Sequence, residues 1–178
     1  MNKTKQLVID AILLALLIIS SKIVIPMGTV GITLQVLVLL IIALLNNLKD
    51  SMIITITYLV LGFVFQLPVF AFGGGISYLY NPSTGFLIGF IPAILLIKFL
   101  MKVLKFKNTF IKSMISTVIG ILVIYIVAIL YGVIIYSNNT NTLNVLEIIE
   151  LLILPYVVFD LFKATIASVI YSRLRHIF

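Results

Sequence analysis

Long, nearly continuous apolar runs dominate the chain, and short polar segments separate them. A helix needs about 20 apolar residues to cross the hydrocarbon core of a bilayer, whereas transmembrane strands alternate polar and apolar residues. Because these runs do not alternate, they predict helices. The candidate spans are residues 7–25, 32–45, 51–67, 84–101, 113–136 and 146–171. The pattern predicts an all-α integral membrane protein in which residues 1–178 form a single bundle of six transmembrane helices.

The composition agrees with a membrane protein. Hydrophobic residues make up 63% of the 178 residues and charged residues only 10%, whereas a soluble domain is about half apolar and about a quarter charged. A small soluble domain could not bury this much apolar surface, so the surplus is expected to face lipid. The chain has no cysteine, and its only histidine, His176, cannot form a zinc site alone. No metal site and no cofactor are predicted.

The positive charges predict the orientation in the membrane. The net charge is +7, and Lys and Arg concentrate in the cytoplasmic loops of membrane proteins. With the N-terminus inside, every Lys and Arg except Lys22 and Lys163 falls on or near the cytoplasmic side. The outer loops, 26–31, 68–83 and 137–144, contain neither residue type. Both termini are therefore predicted to be cytoplasmic, and nucleic-acid binding is not expected.

One outer loop differs in kind from the others. Residues 68–83, PVFAFGGGISYLYNPS, are rich in glycine and aromatic residues and carry no charge. Loops of this length in compact domains are usually functional. The three glycines at 73–75 permit backbone conformations that side chains forbid. Tyr78 and Tyr80 are expected either to anchor the loop at the membrane interface or to stack on a ligand.

An acid and a base lie inside the last apolar run, in the segment PYVVFDLFKATIAS. Asp160 and Lys163 share one helical face, because residues three apart are neighbours on a helix. Charged side chains at this depth cost about 2.5–3.5 kcal/mol each on insertion scales, and they usually mark functional sites. Two interpretations stay open. The residues form a structural ion pair, or they bind a small ligand with a carboxylate at one end and an amide-like group at the other.

Further polar residues are predicted in the outer half of the bundle. Gln35 lies at the start of the second helix in GITLQVL, where an interhelical hydrogen bond is its alternative role. Asn81 and Ser83 lie where the glycine-rich loop meets the fourth helix, and Ser83 or Thr84 is expected to cap that helix. This arrangement favours capture of a ligand from outside.

Two further observations concern partners. Ala11 and Ala15 form a small-xxx-small pair in the first helix, which suits close packing inside the bundle or docking of a partner subunit. The sequence contains no H-E-x-x-H, G-x-S-x-G or Walker motif. The protein is therefore not predicted to be an enzyme, and an ATP-driven step would belong to another chain.

Four segments in order resemble the BioY family, the biotin-binding S components of energy-coupling factor (ECF) transporters. They are GITLQVL, GFVFQLPVFAFGGG, NPSTGFLIGF and PYVVFDLFKA, and they are spread along nearly the whole of residues 32–167. The chain departs from the family in three places. The glycine loop lacks the arginine often found there, residues 81–85 read Asn-Pro-Ser-Thr-Gly instead of Gly-Pro-Thr-Gly-Gly, and Val158-Phe159 replace Pro-Gly. The Asp-x-x-Lys pair is retained.

The resemblance implies a subunit of the prokaryotic plasma membrane that binds biotin from outside. It also implies a complex with a transmembrane coupling subunit and two cytoplasmic ATPases, with Ala11 and Ala15 at the docking face. Asp160 and Lys163 are then the polar anchors of the ligand. The other implied ligand contacts are Gln35, Phe72, Ser77, Tyr78 and Asn81. The alternatives are an S component for another vitamin and a solitary secondary transporter coupled to an ion through Asp160.

Overall fold

The computed structural model describes residues 3–26, 30–137 and 144–175. These residues form seven α-helices, one 3₁₀ helix and one two-stranded sheet. The elements are α1 (Lys3–Lys22), β1 (Val24–Ile25), β2 (Ile32–Thr33), α2 (Gln35–Leu45), α3 (Leu48–Phe63), the 3₁₀ helix (Ile76–Tyr80), α4 (Thr84–Val103), α5 (Thr109–Ser137), α6 (Val145–Leu152) and α7 (Leu154–Leu174). Residues 27–29 of the predicted loop 26–31, residues 138–143 of the predicted loop 137–144, and His176 lie outside the described residues.

The surface of the bundle is apolar and its interior holds polar groups. By length and composition, α1, α4, α5 and α7 are the four described helices that could cross a membrane. Large apolar side chains are exposed along them, for example Leu7 (70%), Leu130 (61%) and Phe162 (69%). Buried polar residues include Gln35, Asp160 and several serines and threonines. This distribution suits a protein surrounded by lipid, where apolar side chains lose nothing by exposure.

The strands β1 and β2 form a short hairpin, which departs from the predicted all-helical fold. Val24 pairs with Thr33 and Ile25 with Ile32, in antiparallel register. The second predicted span therefore begins with a strand, and α2 starts only at Gln35. With 11 residues, α2 is about 16 Å long at 1.5 Å per residue. It lies at the centre of the bundle, in contact with α1, α3, α4 and α7.

The predicted sixth helix over 146–171 is wrong in one respect, since two helices share that stretch. α6 ends at Leu152, and α7 begins at Leu154 with Pro155 in its first turn. Proline has no backbone N–H and its ring clashes with the preceding turn, so it is tolerated at the start of a helix and not in the interior. The break places Asp160 in the second turn of α7.

α4 and α5 approach closely because glycines on α4 face α5. A Cβ atom built on Gly85 would lie 2.8 Å from the Cα atom of Ala128. One built on Gly89 would lie 3.0 Å from the Cα atom of Ile124. Membrane helices commonly pack through small residues four apart. This packing holds the start of α4 beside α5, at the edge of the cavity described below.

Replacing Gly85 with valine should lower the midpoint of thermal unfolding in detergent by roughly 3–10 °C, because overpacking costs about 1–3 kcal/mol. The matched control is Ile88→Val on the same helix, where the side chain is 40% exposed and a small change should have little effect. Equal midpoints for the Gly85 variant and the unmodified protein would show that α4 and α5 are not in close contact there.

Hydrogen bonds between helix ends tie one end of the bundle together. The Asn46 side chain, after α2, donates to Asp10 Oδ1 on α1 at 3.0 Å. Lys98 on α4 donates to the backbone carbonyl of Asn46. Arg175, after α7, donates to the hydroxyl of Thr109 at the start of α5. The start of α1 and the ends of α2 and α4 therefore meet at one end, where most of the basic residues lie.

The opposite end is joined through the glycine-rich loop and the hairpin. Ser21 Oγ at the end of α1 donates to the Val69 carbonyl at 2.6 Å, and the Lys22 ammonium donates to the Phe70 carbonyl at 2.5 Å. The Tyr131 hydroxyl on α5 donates to the Leu79 carbonyl at 2.5 Å. These contacts hold residues 64–83 against the helices.

Candidate functional site

A cavity of about 520 Å³, part of which is open to solvent, lies between the hairpin, the glycine-rich loop, α2, α4 and α7. The polar lining residues are Thr33, Gln35, Ser83, Asp160 and Lys163. Aromatic and aliphatic residues form the rest of the lining, including Ile32, Phe72, Tyr78, Phe86, Leu87, Phe90 and Tyr156. A largely apolar cavity with a few polar groups suits a small ligand that has polar ends.

Asp160 and Lys163 form an ion pair in the wall of the cavity. Lys163 Nζ lies 2.6 Å from Asp160 Oδ1, and the two residues are only 7% and 4% exposed. The predicted shared helical face is confirmed. Among the described residues only one of the three Lys163 donors has a partner. The pair is therefore both a mutual ion pair and part of the cavity wall, with donors left for a ligand.

The second Asp160 oxygen has a partner that the sequence did not suggest. The hydroxyl of Tyr125 on α5 donates to Asp160 Oδ2 at 2.6 Å. Tyr125 is 6% exposed and is not a lining residue of the cavity. In the sequence it is one aromatic residue inside a long apolar run, so no local pattern distinguishes it from a core residue.

The turn before α4 directs Ser83 into the cavity. The side-chain oxygen of Asn81 accepts the Ser83 backbone N–H at 2.9 Å, and the Thr84 hydroxyl donates to the Tyr78 carbonyl at 2.6 Å. Ser83 stands at the N-cap position of α4, as expected, but its side chain makes no capping hydrogen bond. Ser83 Oγ is buried and makes no hydrogen bond of normal geometry among the described residues, although it lies near the Tyr78 phenol. A buried hydroxyl without a partner is costly, so its position in the cavity wall favours a ligand contact.

Gln35 takes part in a network that connects α2 to the loop. Its side-chain amide donates to the Tyr58 hydroxyl at 3.0 Å, and Tyr58 in turn donates to the Val69 carbonyl at 3.0 Å. The interhelical hydrogen bond considered for Gln35 is present, and the residue also lines the cavity. Gln35 therefore links one wall of the cavity to the glycine-rich loop.

The two loop tyrosines have different surroundings. Tyr78 is 6% exposed, whereas Tyr80 is 79% exposed. The Tyr78 ring packs against Phe70 and Phe63, with centroids 4.9 Å and 6.5 Å away. Burial raises the pKa of Tyr78, so its phenol is neutral at physiological pH. Tyr78 is thus a wall of the cavity and not a membrane anchor.

The glycines of the loop and hairpin allow this close packing. Gly73 and Gly75 have φ angles of +135° and +93°, which side chains rarely adopt. A Cβ atom on Gly31 would lie 2.9 Å from the Phe72 ring and 2.3 Å from Val24. The Tyr156 hydroxyl on α7 donates to the Val30 carbonyl and so fixes the hairpin to α7.

Most of the ligand contacts expected from the sequence line the cavity, namely Gln35, Phe72, Tyr78, Asp160 and Lys163. Ser77 and Asn81 are not among the lining residues. Ser77 is exposed on the 3₁₀ helix, on a different side from the buried Tyr78, and Asn81 is half-buried and engaged with the Ser83 backbone. Ligand contact by any of these residues remains a prediction.

The sequence profile of the BioY family matches residues 1–178 of the chain. The chain belongs to the BioY family. The biotin transporter BioY of Thermotoga maritima is 33% identical over 172 residues, which are 96% of each chain. The probable biotin transporter BioY of Pyrococcus horikoshii is 29% identical, over 97% of this chain and 98% of that one.

The fold also matches that of a solved structure. The crystal structure of an S-component for biotin from an ECF-type ABC transporter matches with a TM-score of 0.83 and 27% identity, over 99% of this chain and 94% of that one. The family resemblance inferred from four segments of the sequence is confirmed. The chain is therefore a membrane protein of a transporter family and not of an enzyme family.

Proposed function

We propose that the chain is the S component of an ECF-type transporter and binds biotin from the outside for uptake. The carrying observation is a cavity whose lining includes both the buried Asp160–Lys163 ion pair and the Ser83 hydroxyl. Family membership and the structural match support this function. The buried groups supply both donors and acceptors inside an otherwise apolar cavity.

The chemistry of biotin suits these groups. Biotin has a carboxylate at one end and a ureido group at the other, which donates through two N–H groups and accepts through its carbonyl. Lys163 supplies N–H donors, Asp160 supplies acceptor oxygens, and Ser83 can do both. Phe72, Phe86 and other apolar lining residues then cover the hydrocarbon part of the ligand.

The same proposal includes six membrane segments with both termini cytoplasmic. The hairpin with α2 forms the second segment, and α6 with α7 forms the sixth. Hydrogen bonds join the start of α1 to the ends of α2 and α4, where most Lys and Arg residues lie, and the cavity draws its loop residues from the other end. The positive-inside rule then places the basic end in the cytoplasm, so that the cavity faces outward.

A transmembrane coupling subunit and two ATPases complete the proposed transporter. Ala11 and Ala15 are both exposed on α1, which leaves this face available for close approach of another helix. The chain itself has no Walker motif, so ATP hydrolysis belongs to the partner chains. A solitary secondary transporter would instead move biotin without ATP.

Titration calorimetry of the purified protein in detergent is expected to show saturable binding of one biotin per chain. Thiamine, which has neither a ureido group nor a carboxylate, is expected to give no heat of binding. No binding of biotin by folded protein would exclude the biotin assignment. Uptake into proteoliposomes by the chain alone, without ATP or partner chains, would favour the secondary transporter.

A further inference from the structure

Tyr125 lies behind the cavity wall and forms a chain of three buried groups with Asp160 and Lys163. Its hydroxyl donates to Asp160 Oδ2 at 2.6 Å, while Lys163 contacts Asp160 Oδ1 at 2.6 Å. Both contacts have the short length of hydrogen bonds to a charged acceptor. Lys163 and Asp160 line the cavity but Tyr125 does not, so a ligand would meet the pair and not the phenol.

The binding of an anion creates an electrostatic problem at this pair. In the structure the ammonium of Lys163 and the carboxylate of Asp160 neutralise each other. A ligand carboxylate that binds Lys163 competes with Asp160 for the same ammonium. A buried carboxylate that loses its cation is strongly destabilised unless other donors remain. Among the described residues, the only other group bonded to the Asp160 carboxylate is the Tyr125 hydroxyl.

We propose that Tyr125 is a positioning residue for ligand binding. It holds the Asp160 carboxylate, ionised and in a fixed orientation, when Lys163 turns from Asp160 towards a ligand carboxylate. Asp160 Oδ1 then has lost its cation, and the Tyr125 hydroxyl is the donor that remains on this carboxylate. Tyr125 therefore acts through Asp160 and not by touching the ligand. The role in binding rests on the proposed function, with the ligand carboxylate at Lys163.

Aromatic packing fixes the direction of the Tyr125 hydroxyl. Its ring lies edge-to-face against Phe86, with the centroids 6.3 Å apart and the planes at 82°. Phe86 packs in the same manner against Tyr156, with the centroids 6.4 Å apart. Phe86 and Tyr156 both line the cavity. The ring that carries the hydroxyl is therefore held by the aromatic wall of the site.

The binding experiment uses Tyr125→Phe, which removes one oxygen and keeps the ring. Its matched control is Tyr171→Phe, three turns beyond Asp160 on α7 and outside the cavity lining. Tyr125→Phe should weaken biotin binding in calorimetry by roughly 10-fold, the size expected for a hydrogen bond to a charged group. The control should change the affinity by less than about twofold.

A double-mutant cycle separates this role from a merely structural one. In an Asp160→Asn background, Tyr125→Phe should weaken binding by less than about twofold, because its partner is no longer a charged carboxylate. An equal loss in both backgrounds would overturn the proposal. So would an unchanged affinity of the single variant.

A second measurement needs no ligand and separates failure of this proposal from failure of the biotin assignment. Lys163→Met removes the cation and so imitates its withdrawal from Asp160. At neutral pH, the infrared band of the protonated Asp160 carboxyl should be stronger in Lys163→Met with Tyr125→Phe than in Lys163→Met alone. Loss of the band in Asp160→Asn identifies it. Equal bands in the two variants would overturn the proposal even if biotin binds as expected.

Discussion

Lys163→Met is expected to weaken biotin binding by roughly 100-fold. Methionine keeps the length of the apolar stem but removes the ammonium that lies in the cavity wall. The ligand then loses a charge-assisted hydrogen bond of about 1.5–3 kcal/mol, and each 1.4 kcal/mol changes the affinity about tenfold. If the biotin carboxylate lies at this point, it also faces Asp160 without an intervening cation. Calorimetry with the variant and the unmodified protein measures the loss directly.

Biotin methyl ester shows which end of the ligand meets Lys163. If the carboxylate does, the ester binds the unmodified protein weakly, and Lys163→Met has little further effect on it. If the ureido carbonyl does, Lys163→Met weakens biotin and the ester by the same factor, because the effects of independent contacts add. The two cases therefore differ in whether the effects of Lys163→Met and of esterification on the binding free energy add.

A variant in which both Asp160 and Lys163 are replaced separates loss of binding from loss of the fold. Breaking one side of a buried ion pair destabilises a protein by about 3–5 kcal/mol, whereas apolar replacement of both residues is often tolerated. The thermal midpoint of Asp160→Leu with Lys163→Leu should therefore exceed that of Lys163→Met, while biotin binding should be lost. Normal biotin affinity in the double variant would mean that the pair is structural only, and the site assignment would have to be withdrawn.

Ala11→Trp combined with Ala15→Trp is expected to abolish ATP-dependent biotin uptake and leave biotin binding unchanged. The two alanines lie four residues apart and therefore on one face of α1, and both are exposed. Leu13 and Leu17, on the opposite side, carry the contacts with the core. Indole rings would prevent the close approach of a partner helix that small residues permit. The cavity lining includes no residue of α1, so the affinity for biotin should be retained.

This prediction is measured as uptake of labelled biotin into proteoliposomes that contain the coupling subunit, both ATPases and ATP. Leu122→Trp on α5 is the control, since Leu122 is 52% exposed and is also expected to face lipid. Normal uptake by the α1 variant would show that the partner docks elsewhere. Loss of binding as well as uptake would instead point to misfolding of α1.

The long helices could be predicted because their signal is local. The expected spans 84–101 and 113–136 lie inside α4 (Thr84–Val103) and α5 (Thr109–Ser137). Continuous apolar residues with polar or basic ends leave no other low-energy state in lipid, where every backbone group must be bonded internally. Pro155 is also a local indication that a helix starts there. The apolar run continues across it, however, so the sequence reads as one helix and not as α6 and α7.

The hairpin and the turn before α4 were missed because their bonds join residues with no distinguishing local pattern. The strand pair between Val24–Ile25 and Ile32–Thr33 lies within segments that read as parts of two apolar helices. Before α4, Ser83 lines the cavity and Ser77 does not. This outcome depends on which residues of the short 3₁₀ helix face inward. The orientation of this helix buries Tyr78 and exposes Ser77, and the Asn81 side chain fixes the following turn.

The sequence by itself determined that this is a helical membrane protein of the BioY family, with an acid and a base on one helical face. Composition, apolar run length and a spacing of three residues are local properties, and lipid or helix geometry acts on them directly. Only the tertiary structure decided what the pair meets. Tyr125 reaches Asp160 from α5, 35 residues away along the chain, and Ser83 enters the same cavity from the start of α4. Such contacts depend on how helices rotate and pack against each other, which the pattern along one chain does not specify.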